Sequence, residues 1–267
     1  MTTGSARKLD IPLISNGYPI AKSEADIGWL VPTDPATPLP QLHEQYRAQG
    51  YLWLKGILDR PAVLAFRRRF FEAFLSTGLL AEDSDPAEGL FSGKEVNREQ
   101  VHRIWVDAVR WPEYEAFCYS PHIVRFYETF LGGDVQLLKR KIIRYTRPGD
   151  PHCTPGHYDL IYLRAGTDHV YSSWIPIGDI PIEMGGLVYL ENSDALGRCM
   201  EAEFTIKNAT LPYEERINAY NKNMTEGGWV GKDLAALAAK IGGRWLLADY
   251  QAGDMVVHSP YMIHGAT

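Results

Sequence analysis

From Asp134 onward the chain breaks into short apolar runs separated by turn signals, and no other feature limits the fold as much. Pro148-Gly149, Pro155-Gly156, Gly178-Asp179 and Gly253-Asp254 are turn pairs. Between them the pattern predicts strands at Val135 to Thr146, Tyr171 to Ile177, Gly186 to Leu190 and Asp254 to Val257. Short strands at such spacing favour a sandwich or jelly roll, in which two sheets share a core. A polar excursion from Glu191 to Arg244 interrupts them, and Leu234 to Ile241 inside it reads as a short helix. Long excursions between core strands often form substrate lids.

The first half reads differently. Residues Met1 to Pro40 carry Pro12, Pro19, Pro32, Pro35, Pro38 and Pro40, which predicts an extended arm. Gln41 to Ala48 reads as a helix stopped by Gly50, and Tyr51 to Leu54 as a strand. Asp59 suits an N-cap and Pro61 a first turn, and Val63, Phe66, Phe70, Phe71 and Phe74 recur at helical spacing towards Gly78. Ala81 to Gln100 is an acidic loop and Val101 to Cys118 is mixed. Pro121 opens a helix from His122 to Leu131 that Gly132-Gly133 closes. The expected class is α+β in one domain: an arm and helices over 1–133, and a sheet-rich core over 134–267 with its insertion at 191–244.

At 267 residues and a net charge of −6, nothing argues for a nucleic-acid surface, and the basic runs Arg67-Arg68-Arg69 and Lys139-Arg140-Lys141 are local. Cys118, Cys153 and Cys199 lack metal spacing and read as free thiols in a reducing compartment. The start has no apolar signal region, and no apolar run approaches the roughly 18 residues of a spanning helix. A cytosolic soluble protein with no membrane contact is the expectation.

Chemistry concentrates at Thr154 to Leu160. His157 and Asp159 lie two residues apart, so on a strand they would share a face. Gly156 lets the backbone approach closely just before them. A third donor is available downstream, as His258 or His264. Two histidines and one carboxylate with open positions form the facial triad of non-haem Fe(II) oxygenases. A bare His-x-Asp is by itself a weak signal, more often a surface histidine beside a solvated carboxylate.

Several segments, in order, resemble the phytanoyl-CoA dioxygenase family of Fe(II)/2-oxoglutarate oxygenases. They are Tyr145 to Gly149, then Gly156-His157-Tyr158-Asp159, then Ser173-Trp174 through Asp179 as a Trp-x-x-x-x-Asp strand. Gly185 to Ser193 follows, and then Gly253-Asp254 with Pro260 and Ile263-His264-Gly265. The resemblance covers about half the chain, and the N-terminal helices fit it more loosely. It implies a double-stranded β-helix, a jelly-roll or cupin-like core with flanking N-terminal helices. It implies His157, Asp159 and His264 as iron ligands, with His258 the competing third. It places Trp174, Arg103 and Thr154 near 2-oxoglutarate.

The same resemblance calls for an arginine about ten residues beyond the distal histidine, to pair with the far carboxylate of 2-oxoglutarate. The sequence stops at Thr267, so the last strand is expected to continue past it; otherwise Arg144 or Lys141 would serve. Ala266 replaces the family's polar residue two past the distal histidine. The implied chemistry couples oxidation of 2-oxoglutarate by O2, giving succinate and CO2, to attack on an unactivated C–H bond. A carboxylate at Asp159 favours oxygenation over halogenation. Tyr158, Tyr162, Trp174 and Tyr189 could line an apolar cavity, and Lys139, Arg140, Lys141, Arg144 and Arg147 could meet an acyl-CoA phosphate or a carrier-protein thioester. The substrate is therefore expected to be a small organic molecule, hydrophobic or thioester-bound. Two other readings stay open: a zinc- or manganese-dependent hydrolase or isomerase on the same barrel, and a non-catalytic binding module.

Overall fold

The computed structural model describes residues 9–267. The arm does more than wrap the body, although its first eight residues lie outside the described ones. It forms β1 (Leu13–Ser15) and β2 (Tyr18–Ile20), a hairpin, and then β3 (Ile27–Trp29) and β4 (Pro32–Thr33), which join larger sheets. Next come α1 (Leu39–Gln49), β5 (Tyr51–Leu54) and α2 (Arg60–Glu72), followed by α3 (Arg98–Ala108), α4 (Pro112–Cys118) and α5 (Pro121–Leu131). The C-terminal half holds β6 (Ser172–Trp174), β7 (Leu187–Leu190), α6 (Ser193–Lys207), α7 (Tyr213–Ile217), α8 (Leu234–Ile241), β8 (Trp245–Leu247), β9 (Met255–His258) and β10 (His264–Ala266).

Helix ends follow local chemistry. Gly50 and Gly132 take left-handed backbone (φ 76° and 74°) and return their N–H groups to Tyr46 and Glu128 carbonyls. Asp233 caps α8 by accepting from the Ala236 N–H. Asp59 precedes α2 without a side-chain cap bond, and α2 stops at Glu72, short of Gly78. A separate 3-10 turn, Leu75–Thr77, reaches that glycine.

Two four-stranded sheets carry the core, ordered β10-β7-β8-β3 and β4-β5-β9-β6. Each strand divides its residues between two faces. Tyr51, Trp53, Leu187, Tyr189, Leu246 and Val256 face inward, into one cluster shared by both sheets. Leu52, Leu54, Met255 and Val257 face outward, under α1 and α5. Val188, Leu190, Trp245 and Leu247 face the other way, under α8 and the 3-10 turn after His157. With helices on both outer faces, β5, β7, β8 and β9 are buried along their whole length, which explains their unbroken apolar sequences.

Two sequence expectations need correction, and one further strand lies outside the expected ones. Val135 to Thr146 forms no strand. Its carbonyls are taken by helix side chains instead: the Trp105 indole N–H donates to Ile143 at 2.7 Å and the Tyr114 hydroxyl to Ile142 at 3.1 Å. Those two carbonyls are thereby satisfied without a sheet neighbour. The insertion is also more helical than its polarity suggests, because Leu196, Met200 and Phe204 give α6 a buried or half-buried stripe at four-residue spacing. Finally, Trp245–Leu247 is a central strand, paired with both β7 and β3.

Candidate metal centre

β10 lies at the edge of its sheet, and the segment before Asp159 meets its free side. His157 and His264 exchange both backbone hydrogen bonds, at 3.0 and 2.8 Å. His264 also stands opposite Tyr189 on β7. Opposed residues of an antiparallel pair project to the same face, so His157, His264 and Tyr189 form one row on the inner surface. The two imidazole rings are 4.3 Å apart.

Asp159 reaches this row by a route the sequence does not indicate. No strand carries His157 and Asp159 together; the pairing lasts for one bridge, and Asp159 then opens the 3-10 turn Asp159–Tyr162. The Leu160 N–H pins that turn to the Pro260 carbonyl at 2.9 Å. The turn, rather than a strand pleat, swings the carboxylate toward the rings. Gly156 permits the approach: a Cβ there would lie 2.8 Å from Leu237 Cδ2 and 3.2 Å from the Gly231 carbonyl. The insertion closes on this point, where Gly156 bridges Gly231.

Asp159 Oδ1 lies 3.5 Å from His157 Nε2 and 3.6 Å from His264 Nε2. Each ring has its other nitrogen committed: His157 Nδ1 is 2.8 Å from the Pro155 carbonyl and His264 Nδ1 is 2.9 Å from the Met262 carbonyl. A carbonyl only accepts, so Nδ1 holds the proton and Nε2 of the neutral ring presents a lone pair. Burial drives the His264 pKa well below its ordinary value, with His157 and His258 adding to the effect and Asp159 opposing it. Burial opposes the charge on Asp159, yet His264, His157 and His258 together hold its carboxyl well below the usual range. Two lone pairs and an ionised oxygen thus converge with no proton between them. That arrangement fits a cation, and the donor set of two imidazoles and one carboxylate suits iron. The three donor atoms lie within 4.8 Å of one another.

His258 stands beside this group. Its Nε2 is 3.1 Å from Asp159 Oδ2, and its Nδ1 is 3.0 Å from the Tyr189 hydroxyl. The Ser172 hydroxyl donates to the same Oδ2.

The remaining candidates are distributed unevenly. Trp174 lies on the inner face two residues from Ser172, with its ring 4.5 Å from Tyr250. Thr154 flanks β10 and accepts from the Ala266 N–H at 3.0 Å. Arg103 is not brought to the cluster: its guanidinium pairs with Glu99 on the exposed side of α3, and its side chain is 69% exposed. Its helix starts at Arg98 and offers its buried face through Val101 and Ala108, which turns position 103 outward. Lys141 is committed to Glu115. Arg144 is exposed and has no ion pair among the described residues. Arg140 stands over the Tyr162 ring at 5.5 Å, and that ring is 5.6 Å from His157.

One supporting pair has no sequence signature. Arg164 and Glu201 form an ion pair with side chains only 6% and 11% exposed, and Tyr158 donates to Glu201 at 2.8 Å. The pair ties the turn containing Asp159 to α6, across 37 residues of chain.

Comparison with known proteins adds a family. Residues 46–267 match the model of the phytanoyl-CoA dioxygenase (PhyH) family. The 1-deoxypentalenic acid 11-beta-hydroxylase of Streptomyces exfoliatus is 26% identical over 157 residues, covering 57% of this chain and 53% of the hydroxylase. The chain therefore spans about half the length of that curated relative. Among solved structures, the alpha ketoglutarate dependent carbocyclase SnoK from nogalamycin biosynthesis aligns with a TM-score of 0.45 and 19% identity, over 89% of this chain and 81% of that one. The epimerase SnoN, in complex with Fe3+, alpha ketoglutarate and nogalamycin RO, aligns with a TM-score of 0.43 and 16% identity, over 85% and 76%. Overlaps at this level bear on neither site nor substrate.

Proposed function

The chain belongs to the phytanoyl-CoA dioxygenase family, and from that premise we propose that it is a non-haem Fe(II)/2-oxoglutarate-dependent oxygenase acting on a C–H bond of a small organic molecule. The observation that carries the reading is the convergence of His157 Nε2, His264 Nε2 and Asp159 Oδ1, with both Nδ1 protons directed away to backbone carbonyls. In this reading the two sheets are a double-stranded β-helix within one domain, and His157, Asp159 and His264 would hold the metal.

When bound, iron with 2-oxoglutarate and O2 supplies the oxidising power, yielding succinate and CO2. The chain's own residues orient and enclose. His157 and His264 hold their rings fixed through the Pro155 and Met262 carbonyls, so their lone pairs need no reorganisation. Asp159 supplies negative charge from a mostly buried position. We assign contacts with 2-oxoglutarate to Thr154, beside β10, and to Trp174, on the inner face of β6. Arg144, exposed and without an ion pair among the described residues, is the cation we assign to an anionic group of co-substrate or substrate. The insertion, closed on Gly156 through Gly231, would exclude water from the reacting carbon. No helix among the described residues is long and apolar enough to cross a membrane.

The test is succinate formation by the anaerobically Fe(II)-loaded protein after addition of 2-oxoglutarate and oxygen, beside His157→Ala. Slow uncoupled turnover in the wild type alone is the expected result. Binding of 2-oxoglutarate to the Fe(II)-loaded protein without oxygen, read by its visible charge-transfer band, is the second arm. Absence of both turnover and band would refute the assignment.

A further inference from the structure

The two oxygens of Asp159 have different surroundings. Oδ1 faces the Nε2 atoms of His157 and His264. Oδ2 receives two donors, the Ser172 hydroxyl and His258 Nε2. These donors come from one place in the fold: Ser172 and His258 stand directly opposite each other on β6 and β9. Opposed residues of an antiparallel pair share a face, so both side chains leave the inner surface toward the same oxygen.

His258 is only 3% exposed, and it is held from behind. A carboxylate accepts and cannot donate, so His258 Nε2 carries the proton at the 3.1 Å contact. The other ring nitrogen, Nδ1, faces the Tyr189 hydroxyl at 3.0 Å. Tyr189 is fully buried and opposes His264 in the β7–β10 register. One tyrosine therefore links the His258 ring to the row that carries His264.

We infer that Ser172 and His258, with Tyr189 behind the imidazole, clamp Oδ2 of Asp159 and commit the carboxylate to bind the metal through Oδ1 alone. His258 is then a positioning residue and not a ligand, because its Nε2 is turned to Oδ2 and the donor atoms that converge within 4.8 Å are those of His157, Asp159 and His264. The inference rests on the metal reading above. Its consequence is stoichiometric. On a six-coordinate ion, three protein atoms would leave three positions, enough for a bidentate co-substrate and oxygen. A carboxylate free to rotate would bring in its second oxygen and occupy one of them. Hydrogen bonds to a charged acceptor are strong enough to hold this choice.

The test uses the full chain with Co(II) as probe, reading affinity and the visible d–d band by titration and folding by far-UV circular dichroism. Removing partners that orient a metal ligand typically costs 10–100-fold in affinity, so His258→Ala and Ser172→Ala should each raise the Co(II) Kd by about that factor. Tyr189→Phe should raise it less. In all three the band should shift as the second carboxylate oxygen takes a position otherwise held by solvent. His258→Ala with Ser172→Ala should be non-additive, since both act on one oxygen. His264→Ala should abolish binding.

Several results would overturn the clamp. One is wild-type affinity and an unchanged band in His258→Ala. Another is complete loss of binding in His258→Ala with no change in Ser172→Ala or Tyr189→Phe, which would make His258 a ligand. Should His258→Ala fail to fold, an unchanged band and affinity in both Ser172→Ala and Tyr189→Phe would overturn it equally. Failure of the wild type to bind Co(II) would instead remove the metal reading and the clamp together.

Discussion

Gly197→Ala opposes a local gain to a tertiary cost, and the structure decides which is larger. Gly197 lies inside α6, where alanine is favoured over glycine by about 1 kcal/mol. On helix propensity alone the substitution stabilises. In the fold, however, a Cβ at position 197 would lie 1.9 Å from the Tyr261 carbonyl oxygen and 2.9 Å from its carbon. Both atoms are backbone, so no side chain can rotate away. The carbonyl would have to retreat to an ordinary contact of about 3.4 Å. Tyr261 sits on the turn that joins His258 to His264, and this turn is also held by the Ile263 N–H on Ser193 at 2.9 Å. Overpacking of a fixed site costs about 1–3 kcal/mol, more when backbone must move. Net destabilisation of about 2 kcal/mol is expected after the propensity gain. The same retreat displaces His264, whose Nε2 is 3.6 Å from Asp159 Oδ1. Metal affinity should therefore fall at least tenfold, which corresponds to about 1.4 kcal/mol. Urea unfolding measures the first effect and Co(II) titration the second. A variant as stable as wild type, with unchanged Co(II) affinity, would refute the packing of α6 on the ligand-bearing turn.

Three further outcomes follow from specific contacts. Arg164→Met leaves Glu201 buried without its cation and should cost about 3–5 kcal/mol in urea unfolding, while Arg164→Met with Glu201→Leu should recover much of the loss; a harmless single variant would contradict the buried pair. Trp105→Phe removes the donor to the Ile143 carbonyl and should cost about 1–3 kcal/mol, with faster amide exchange across 140–146 as the readout; no change in either would contradict the helix-satisfied segment. Asp179 has its carboxyl lowered from 3.8 to about 2, chiefly by the Arg60 hydrogen bond. Its stabilisation is thus present above about pH 4 and lost as pH falls through about 2. Because the two side chains are 47% and 52% exposed, solvent screening limits the effect to about 1 kcal/mol at neutral pH. The gap between wild type and Asp179→Asn, from urea midpoints, should close between pH 4 and pH 2, and a gap constant to pH 2 would count against it.

Local chemistry was sufficient where neighbours in sequence are neighbours in space. Gly50 and Gly132 end α1 and α5 because left-handed backbone is a property of the residue itself. Leu234 to Ile241 is helical as its spacing requires, and the apolar runs at Tyr51, Leu187 and Met255 form strands. His157, Asp159 and His264 are a candidate donor set by residue type and order alone, and the fold brings their donor atoms within 4.8 Å of one another. The tertiary structure decided whatever depends on partners distant in sequence. Val135 to Thr146 has a strand's composition but gives its carbonyls to Trp105 and Tyr114, and backbone pairing is settled by whichever donor arrives. Asp159 meets the histidines through a 3-10 turn anchored on Pro260, not through strand alternation. Arg103 faces solvent because the buried stripe of α3 points the other way. Ser172, Tyr189 and His258 acquire a common purpose only through the registers of β6, β7 and β9, since a side chain's chemistry is written in the sequence while the atom it touches is fixed by the sheets.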